Sequence, residues 1–458
     1  MTRLTRRLAR PGLLILFLAA AQSAGALNLT DAVERAEQFD PRLAAIEADF
    51  LAAREDGEQL LSTRRTQVNA FANLDYQRDS VRSDLFGDQR QTYLTNAVGV
   101  EVRQPLFRLD WFERGRQAEA LDLLAEAEAT SRRQAYWFDL AERYFNALAR
   151  AEDLALAEAE AESVRESLLD TQARFEAEAV AATDLREAEA RDDLARARLL
   201  AAEQGLEDAV DRLEEAVGPV QRLPVLGMSE SDLASYPPLD EWLTLARAQS
   251  PELSVARSAL AIAAAERRGA RSERAPQLDL VGSATRFDQS DSLLGQRGND
   301  AVIGLQFSMP LTAGGALRSS ERQAAQRERS AQLALDQRER ELDRQVRDAW
   351  RAVRVATRQV SAFEAAVRSA EVAEQATRNG FDAGTRTITD VLNARSATVE
   401  ARRDLSQARF NRVLADLLLK LRAGQIDRDS LIELDTLLVP AETEQRSTSH
   451  RLSRSMNP

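Results

Sequence analysis

The chain has 458 residues, with 74 acidic and 61 basic side chains and a formal net charge of −13. This acidic balance argues against a nucleic-acid partner. The chain has no cysteine and a single histidine, His450. It therefore has no disulfides, thiolate metal sites or cysteine-linked lipid anchor. A single histidine in a polar tail argues against histidine-based catalysis and His-rich metal sites.

The N-terminus has the pattern of an export signal. Four arginines precede an apolar run from Leu13 to Ala21, and Ala24-Gly25-Ala26 follows as a small-residue cleavage site. We therefore predict a signal peptide over residues 1–26 and a mature chain beginning at Leu27. After the signal, no segment approaches the roughly 20 apolar residues that a membrane-spanning helix needs.

The rest of the chain is an internal duplication. Pro41 recurs as Pro251, 210 residues later, and Pro105 recurs as Pro310, 205 residues later. Ala182-Thr183-Asp184-Leu185 is echoed 206 residues later by Ile388-Thr389-Asp390-Val391. We predict a first repeat over 27–218, a Pro-rich linker over 219–238 and a second repeat over 239–426. Residues 427–458 form a C-terminal segment, predicted to be a disordered tail from Glu442 onward.

Each repeat contains two segments that alternate with a period of two, and each alternation predicts a strand with one apolar face. The apolar positions are Val68, Ala70, Ala72, Leu74 and Tyr76, then Val98, Val100 and Val102, then Leu278 and Leu280, and finally Ile303, Leu305 and Phe307. Four strands of about 10 residues fit a transmembrane β-barrel, and by pattern alone they also fit a half-buried sheet in a soluble domain. Because the smallest such barrels have about 8 strands, a barrel would require several chains to pool their strands.

Long helices follow each pair of strands. The stretch from Leu106 to Gly218 contains no proline. A helix from about Asp110 to Phe175 would be roughly 100 Å long. Apolar residues at three- and four-residue spacing predict a coiled-coil seam in each repeat: Trp137, Leu140, Tyr144, Ala147, Ala151 and Leu154 in the first, and Val346, Trp350, Val353, Val360 and Val367 in the second.

Both helical regions are predicted to fold back on themselves as hairpins. Gly380-Phe381-Asp382-Ala383-Gly384 interrupts the second, and Thr385 or Thr387 is suited to cap the returning helix. The first reversal, near residues 175–180, lacks glycine and is placed mainly by the repeat.

Several motifs resemble the TolC family of outer-membrane efflux channels. They are Gly384-Thr385-Arg386-Thr387-Ile388-Thr389-Asp390-Val391-Leu392, the opening Leu29-Thr30-Asp31-Ala32, Gln104-Pro105-Leu106-Phe107 and Met309-Pro310-Leu311, and the likeness runs from about Leu29 to Gly424. The resemblance implies a mixed α+β membrane protein with an internal duplication. It also implies a homotrimer whose 12-stranded transmembrane β-barrel, with four strands per chain, is continued by a long periplasmic α-helical coiled-coil barrel. The implied partners are outer-membrane lipid, a periplasmic adaptor (membrane fusion protein) and an inner-membrane transporter.

The resemblance also assigns roles at the hairpin tips. It implies a gate latch at Thr183, Asp184, Phe381 and Arg386, a pore ring at Asp390 and Asn393, and adaptor docking at Glu178, Ala179, Val180, Gly380, Gly384 and Thr385. Phe381 stands where the family has a tyrosine, and Asn393 where it has a second acidic ring, so we expect a looser latch and a less negative entrance. From the residues alone, Arg386 and Asp390 also fit an ordinary i, i+4 surface pair, and the two glycines also fit positions that simply need positive φ.

The function expected from this resemblance is a passive outer-membrane exit duct of a tripartite efflux pump or type I secretion system. Its cargo, whether drugs, metal ions or polypeptides, stays open. The alternative is a pore-less periplasmic coiled-coil scaffold, which explains the heptads but not the four alternating strands. We expect no enzyme and no cofactor, because the sequence shows no cluster of nucleophile, base and orienting group and no metal motif.

Overall fold

The computed structural model describes residues 26–83, 87–224, 226–228, 237–289, 296–436 and 438–440. The predicted signal peptide up to Gly25, His450 and the predicted tail from Glu442 lie outside these residues.

The duplication predicted from the sequence is present element by element. The first half contains α1 (Leu29–Phe39), α2 (Pro41–Ser62), β1 (Gln67–Ser83), β2 (Gly87–Phe107), α3 (Trp111–Glu176) and α4 (Ala182–Val217), and it is followed by the short strand β3 (Leu226–Met228). The second half contains α5 (Leu239–Gln249), α6 (Pro251–Ser272), β4 (Gln277–Gln289), β5 (Gln296–Ser308), α7 (Ala316–Asp382) and α8 (Ile388–Arg422), and it is followed by α9 (Arg428–Thr436) and β6 (Leu438–Pro440). Matching helices differ in length by at most one residue.

The two longest helices agree with the sequence prediction. α3 has 66 residues and begins and ends within one residue of the predicted limits, and α7 has 67 residues. At 1.5 Å per residue each is about 100 Å long. No described helix combines the length and the apolar composition that a membrane span requires.

The four long strands form one antiparallel sheet in the order β1-β2-β4-β5, so β2 and β4 join the two halves. In this register Val100 lies opposite Ala70 on one side and Ala284 on the other. The alternating apolar residues therefore share one face of the sheet.

None of the other described residues covers this apolar face. Val68 is 62% exposed, Tyr76 is 76% exposed and Ile303 is 80% exposed. Within the described residues the outer strands β1 and β5 each pair along one edge only. The sheet thus presents an open apolar surface and two unpaired edges.

The strands are longer than the ten residues we predicted. β1 and β2 have 17 and 21 residues, and β4 and β5 have 13 each. The β1–β2 ladder continues from Gln77↔Tyr93 to Ser83↔Gly87, beyond the alternating apolar segment. Backbone pairing needs no apolar side chains, so the pattern revealed only the part of each strand that has an apolar face.

Two apolar clusters hold the helices together near their middle. The first contains the predicted seam residues Trp137, Leu140, Tyr144 and Ala147, packed with Phe410 and Leu417 of α8. The second contains Trp242, Leu253, Val346, Val353 and Ala423. The seam predictions are confirmed at their buried positions, whereas Ala151, Leu154, Trp350 and Val367 are only partly buried.

The buried carboxylate of Asp40 links α2 to α3 through hydrogen bonds beside the first cluster. The Asp40 side chain is 2% exposed and accepts hydrogen bonds from Arg42 Nε (2.9 Å) and from the Tyr136 hydroxyl (3.0 Å). Burial alone would raise the pKa of Asp40, but the hydrogen bonds from Arg42 and Tyr136 outweigh it and the pKa is lowered. Burial, with the negative charge of Asp40, raises the pKa of Tyr136.

Glycine allows a close backbone contact at the end of α8. Gly424 has φ +75°, and an added Cβ would lie 2.5 Å from the carbonyl oxygen of Gln249 at the α5–α6 turn. Side chains at such φ are disfavoured even without this contact.

The segment after Asp427 has more structure than its loss of periodicity indicated. Asp435 of α9 accepts hydrogen bonds from Leu29 N (3.0 Å) and the Thr30 hydroxyl (2.7 Å) at the start of α1. β6 pairs antiparallel with β3, which lies within the predicted linker. The linker and the C-terminal segment thus pair with each other across the junction between the halves.

Candidate gate at the hairpin tips

The two hairpins reverse with the same backbone path. Glu178 has φ +57° in the first tip, and Gly384, 206 residues later, has φ +73° in the second. The amides of Ala179 and Thr385 each donate to the carbonyl five residues earlier, both at 2.8 Å. This is the hydrogen bonding of a helix C-terminus closed by a left-handed residue. The reversals therefore lie where the sequence predicted them.

The two glycines of the second tip have different roles. Gly384 has the positive φ that favours glycine, as the simple backbone interpretation required. Gly380 is helical and does not have positive φ, so that interpretation is wrong for this residue. An added Cβ at Gly380 would lie 2.8 Å from Cγ of Arg386. The Arg386 side chain crosses over Gly380, so a Cβ at this position would force that side chain to shift.

Thr387 caps the returning helix of the second tip. Its hydroxyl accepts from Asp390 N (3.2 Å), and Asp390 Oδ2 accepts from Thr387 N (2.9 Å), which is a reciprocal capping box. Thr385, the other candidate cap, instead donates its hydroxyl to Gly380 O at 2.9 Å. Backbone and hydroxyl hydrogen bonds from Thr387, with a smaller contribution from the Arg386 charge, lower the pKa of Asp390. The cap thus favours the ionised form of Asp390.

The first tip has a weaker cap. Ala181 occupies the position equivalent to Thr387 and offers no side-chain acceptor. What remains is the bond from Ala181 N to Asp184 Oδ2, at 3.2 Å. Thr183 beside it is exposed. The duplicated turns therefore differ in their caps and in the residue at positive φ.

The predicted latch residues lie at the tips but are not all in contact within one chain. Arg386 is exposed and forms no ion pair with Asp184 or with any other described residue. Phe381, which lacks the family's hydroxyl, instead lies beneath a cation: the Arg174 guanidinium is 4.9 Å from its ring centroid. This contact joins the ends of α3 and α7.

A polar network that the sequence analysis did not identify joins α4 to α8. Arg191 Nη2 donates to Asn393 Oδ1 (2.8 Å) and to Glu187 Oε1 (3.2 Å), and the Thr389 hydroxyl donates to Glu187 Oε2 (3.1 Å). The i, i+4 spacing of Glu187 and Arg191 was visible in the sequence. Their partners on α8 were not, because contacts between helices depend on how the helices are rotated against each other.

The sequence is similar to those of known outer-membrane and secretion proteins over most of its length. The family model described as "Outer membrane efflux protein" matches residues 32–219 and 242–425. The alkaline protease secretion protein AprF of Pseudomonas aeruginosa is 30% identical over 440 residues, covering 93% of this chain and 90% of AprF. The outer membrane protein TolC of Vibrio cholerae is 28% identical over 442 residues, covering 94% of this chain and 99% of TolC.

The fold has a solved counterpart. The crystal structure of the CmeC outer membrane channel of Campylobacter jejuni superposes with a TM-score of 0.74 at 15% identity, covering 89% of each chain. At that identity the likeness shows the fold alone.

Proposed function

This chain belongs to the outer membrane efflux protein family, and from that premise we propose that three copies pool their strands into one 12-stranded barrel. The protein is an outer-membrane exit duct for efflux or type I secretion, with its helical part in the periplasm. In the proposal the helical hairpins continue the barrel as a tunnel, and the chain supplies a passage without a catalytic step.

The observation that carries the trimer is the uncovered sheet. In hydrocarbon every backbone N–H and C=O must be paired within the protein, and an open sheet edge violates this rule. Within the described part of one chain, the outer edges of β1 and β5 are unpaired and the apolar face is exposed. Joining β5 of one copy to β1 of the next removes every edge and turns the apolar face toward lipid.

Mass measurement in detergent tests the trimer. We expect a detergent-soluble particle of three chains that sodium carbonate does not extract from the outer-membrane fraction. A pore-less periplasmic scaffold would wash off in carbonate. A monomer, or a protein recovered whole in the soluble periplasm, would refute the barrel.

At the tips we propose that Arg386 of one copy binds Asp184 of the next. Arg386 is exposed without an ion-pair partner among the described residues of its own chain, and Asp184 uses only Oδ2 in its cap. Three such contacts would close the tunnel end. Three copies of Asp390, whose ionised form the cap favours, would form the acidic ring that gives the pore its cation preference.

Single-channel recording in planar bilayers tests the latch. Arg386→Ser is expected to raise conductance, because each lost charge-assisted contact at an exposed site is worth about 1 kcal/mol. The matched control is Arg358→Ser, which removes an exposed arginine from the body of α7, 24 residues before its end. Equal conductance in parent, variant and control would show that Arg386 is an ordinary surface charge and not part of the latch.

The same tips are proposed to dock a periplasmic adaptor that connects to an inner-membrane transporter. The turn residues Glu178, Ala179, Gly384 and Thr385 are exposed at the ends of the hairpins, while Val180 and Gly380 lie partly buried beside them. AprF is named as a protease secretion protein, and the family is named for efflux. The cargo that we propose is therefore either polypeptides or small molecules. Identifying the transporter that co-purifies with the channel would decide between them.

A further inference from the structure

We propose that Arg191 is a latch within each chain, holding the two hairpin tips together, and that Asn393 is its acceptor and not a member of the pore ring. The inference rests on the proposed function, in which the tips form a gate. It assigns a gating role to Arg191, Glu187 and Thr389, and a different role to Asn393.

The contact consists of two rungs between neighbouring helices. Glu187 and Arg191 lie one turn apart on α4, and Thr389 and Asn393 lie one turn apart on α8. In the first rung the Thr389 hydroxyl donates a hydrogen bond to Glu187, 202 positions earlier, at 3.1 Å. In the second rung Arg191 donates a hydrogen bond to Asn393, 202 positions later, at 2.8 Å. Arg191 also pairs with Glu187 at 3.2 Å, so the two rungs are coupled.

The side chains are positioned to hold this network. The Arg191 side chain is 27% exposed and that of Glu187 is 44% exposed. Both carboxylate oxygens of Glu187 are engaged, one by the guanidinium and one by the hydroxyl. Charged hydrogen bonds that share a guanidinium fix orientation better than a single flexible ion pair does.

The duplication indicates that this latch occurs once per chain. At the repeat offset of 206 residues, Glu187 corresponds to Asn393 and Arg191 corresponds to Ala397. The equivalent position of α8 therefore has no arginine with which to bind the first tip of a neighbouring copy. In a trimer the contact within chains and the contact between chains would be chemically different, with Arg191 in one and Arg386 in the other.

An amide at position 393 is compatible with this arrangement. An amide oxygen accepts a hydrogen bond from Arg191 without adding a charge to the tip. An aspartate there would form an ion pair with the same guanidinium. The side chain of residue 393 thus serves the helix contact, whichever acceptor it carries.

The first test compares two arginine variants by single-channel recording. Arg191→Gln is expected to raise the fraction of open channels roughly threefold, the size of effect that a partly exposed charged contact produces. The matched control is Arg186→Gln, because Arg186 lies on the same helix and, among the residues that the structure describes, pairs only with Glu189 of that helix. Equal behaviour of the two variants would overturn the proposal.

The second test separates the latch from a pore ring. If Asn393 faces the pore, Asn393→Asp would increase cation selectivity whatever residue stands at 191. If it binds Arg191, Asn393→Asp should instead lower the open fraction, and this effect should vanish in the Arg191→Gln background. A selectivity change that persists in that background would overturn the assignment.

The third test needs no conducting channel. Because the chain has no cysteine, Arg191→Cys with Asn393→Cys gives a unique pair for a short bifunctional thiol reagent. We expect a cross-linked peptide within one chain, seen by mass spectrometry, with monomer mobility on a denaturing gel. Cross-links only between chains, or none, would overturn the contact. A cross-link in protein that never conducts would refute the proposed gate while leaving the contact itself established.

Discussion

Replacing Gly424 with alanine should destabilise the junction between α8 and the α5–α6 turn far more than its backbone angle alone predicts. The left-handed conformation costs an alanine about 1 kcal/mol. The added Cβ would also lie 2.5 Å from Gln249 O and 3.2 Å from Ser250 Cα. Because both neighbours are backbone, the turn must move, and such overpacking costs about 1–3 kcal/mol more.

The matched control for this substitution is Gly384→Ala. Gly384 has φ +73°, close to the +75° of Gly424, but no atom lies within 4 Å of its added Cβ. It therefore isolates the backbone cost of about 1 kcal/mol. The difference between the two variants measures the steric cost alone.

Hydrogen exchange measured by mass spectrometry reports both sites. In Gly424→Ala, the amide of Ser250, which donates to Ala246 O at 2.9 Å, should exchange on the order of 30- to 900-fold faster. In Gly384→Ala, the amide of Thr385 should exchange roughly fivefold faster. Equal acceleration in the two variants would refute the reasoning, since it would mean that the Gln249 carbonyl moves aside without cost.

Three further outcomes follow from the same structure. Glu178→Gly should slow exchange at the Ala179 amide about fivefold, since it removes the cost of a side chain at φ +57°; faster exchange would contradict this. Tyr136→Phe should lower the free energy of unfolding by about 1–2 kcal/mol, seen as a lower melting temperature, because buried Asp40 loses a donor; an unchanged melting temperature would contradict it. The pKa of Asp390 is lowered below its ordinary 3.8, so its contribution to the cap is present above that pH and is lost as the pH falls further. Exchange at the start of α8, corrected for its intrinsic pH dependence, should therefore accelerate below about pH 3.8. Asp390→Asn should abolish that step and shift the reversal potential in a salt gradient toward zero; an unchanged reversal potential would place selectivity elsewhere.

The elements with local signals were predictable from the sequence. Gly384 and Thr387 mark the second reversal by their own backbone and capping chemistry, and the repeat transfers that position to the first tip. The limits of α3 followed from the absence of proline between Leu106 and Gly218. The buried seam followed from three- and four-residue spacing, which any long amphipathic helix must show.

The features that depend on approach between elements were not predictable. Gly380 looked like a second positive-φ glycine, yet its role comes from the path of the Arg386 side chain. The Arg191–Asn393 rung required knowledge of how α4 and α8 are rotated against each other. Strand length beyond the apolar segments was hidden because polar residues pair through the backbone as well as apolar ones do. The contact between Arg386 and Asp184 stays a prediction, since it needs a second copy.

Because α3 is one continuous helix, a small tilt at its packed middle displaces the hairpin tip by a large distance. The first apolar cluster, which anchors α3 at its middle, includes residues of this helix up to Ala149, and Glu176 lies 27 residues further along. That arm is roughly 40 Å long, so each degree of tilt at the anchor moves the tip sideways by about 0.7 Å. A rotation of only about five degrees, small enough for a repacked side chain to cause, would displace the tip by more than the length of a hydrogen bond. The width of the opening at the tips thus depends partly on packing at the middle of the helix, far from the tips. Substitutions among the small alanines of the anchor should change this width without altering any tip residue.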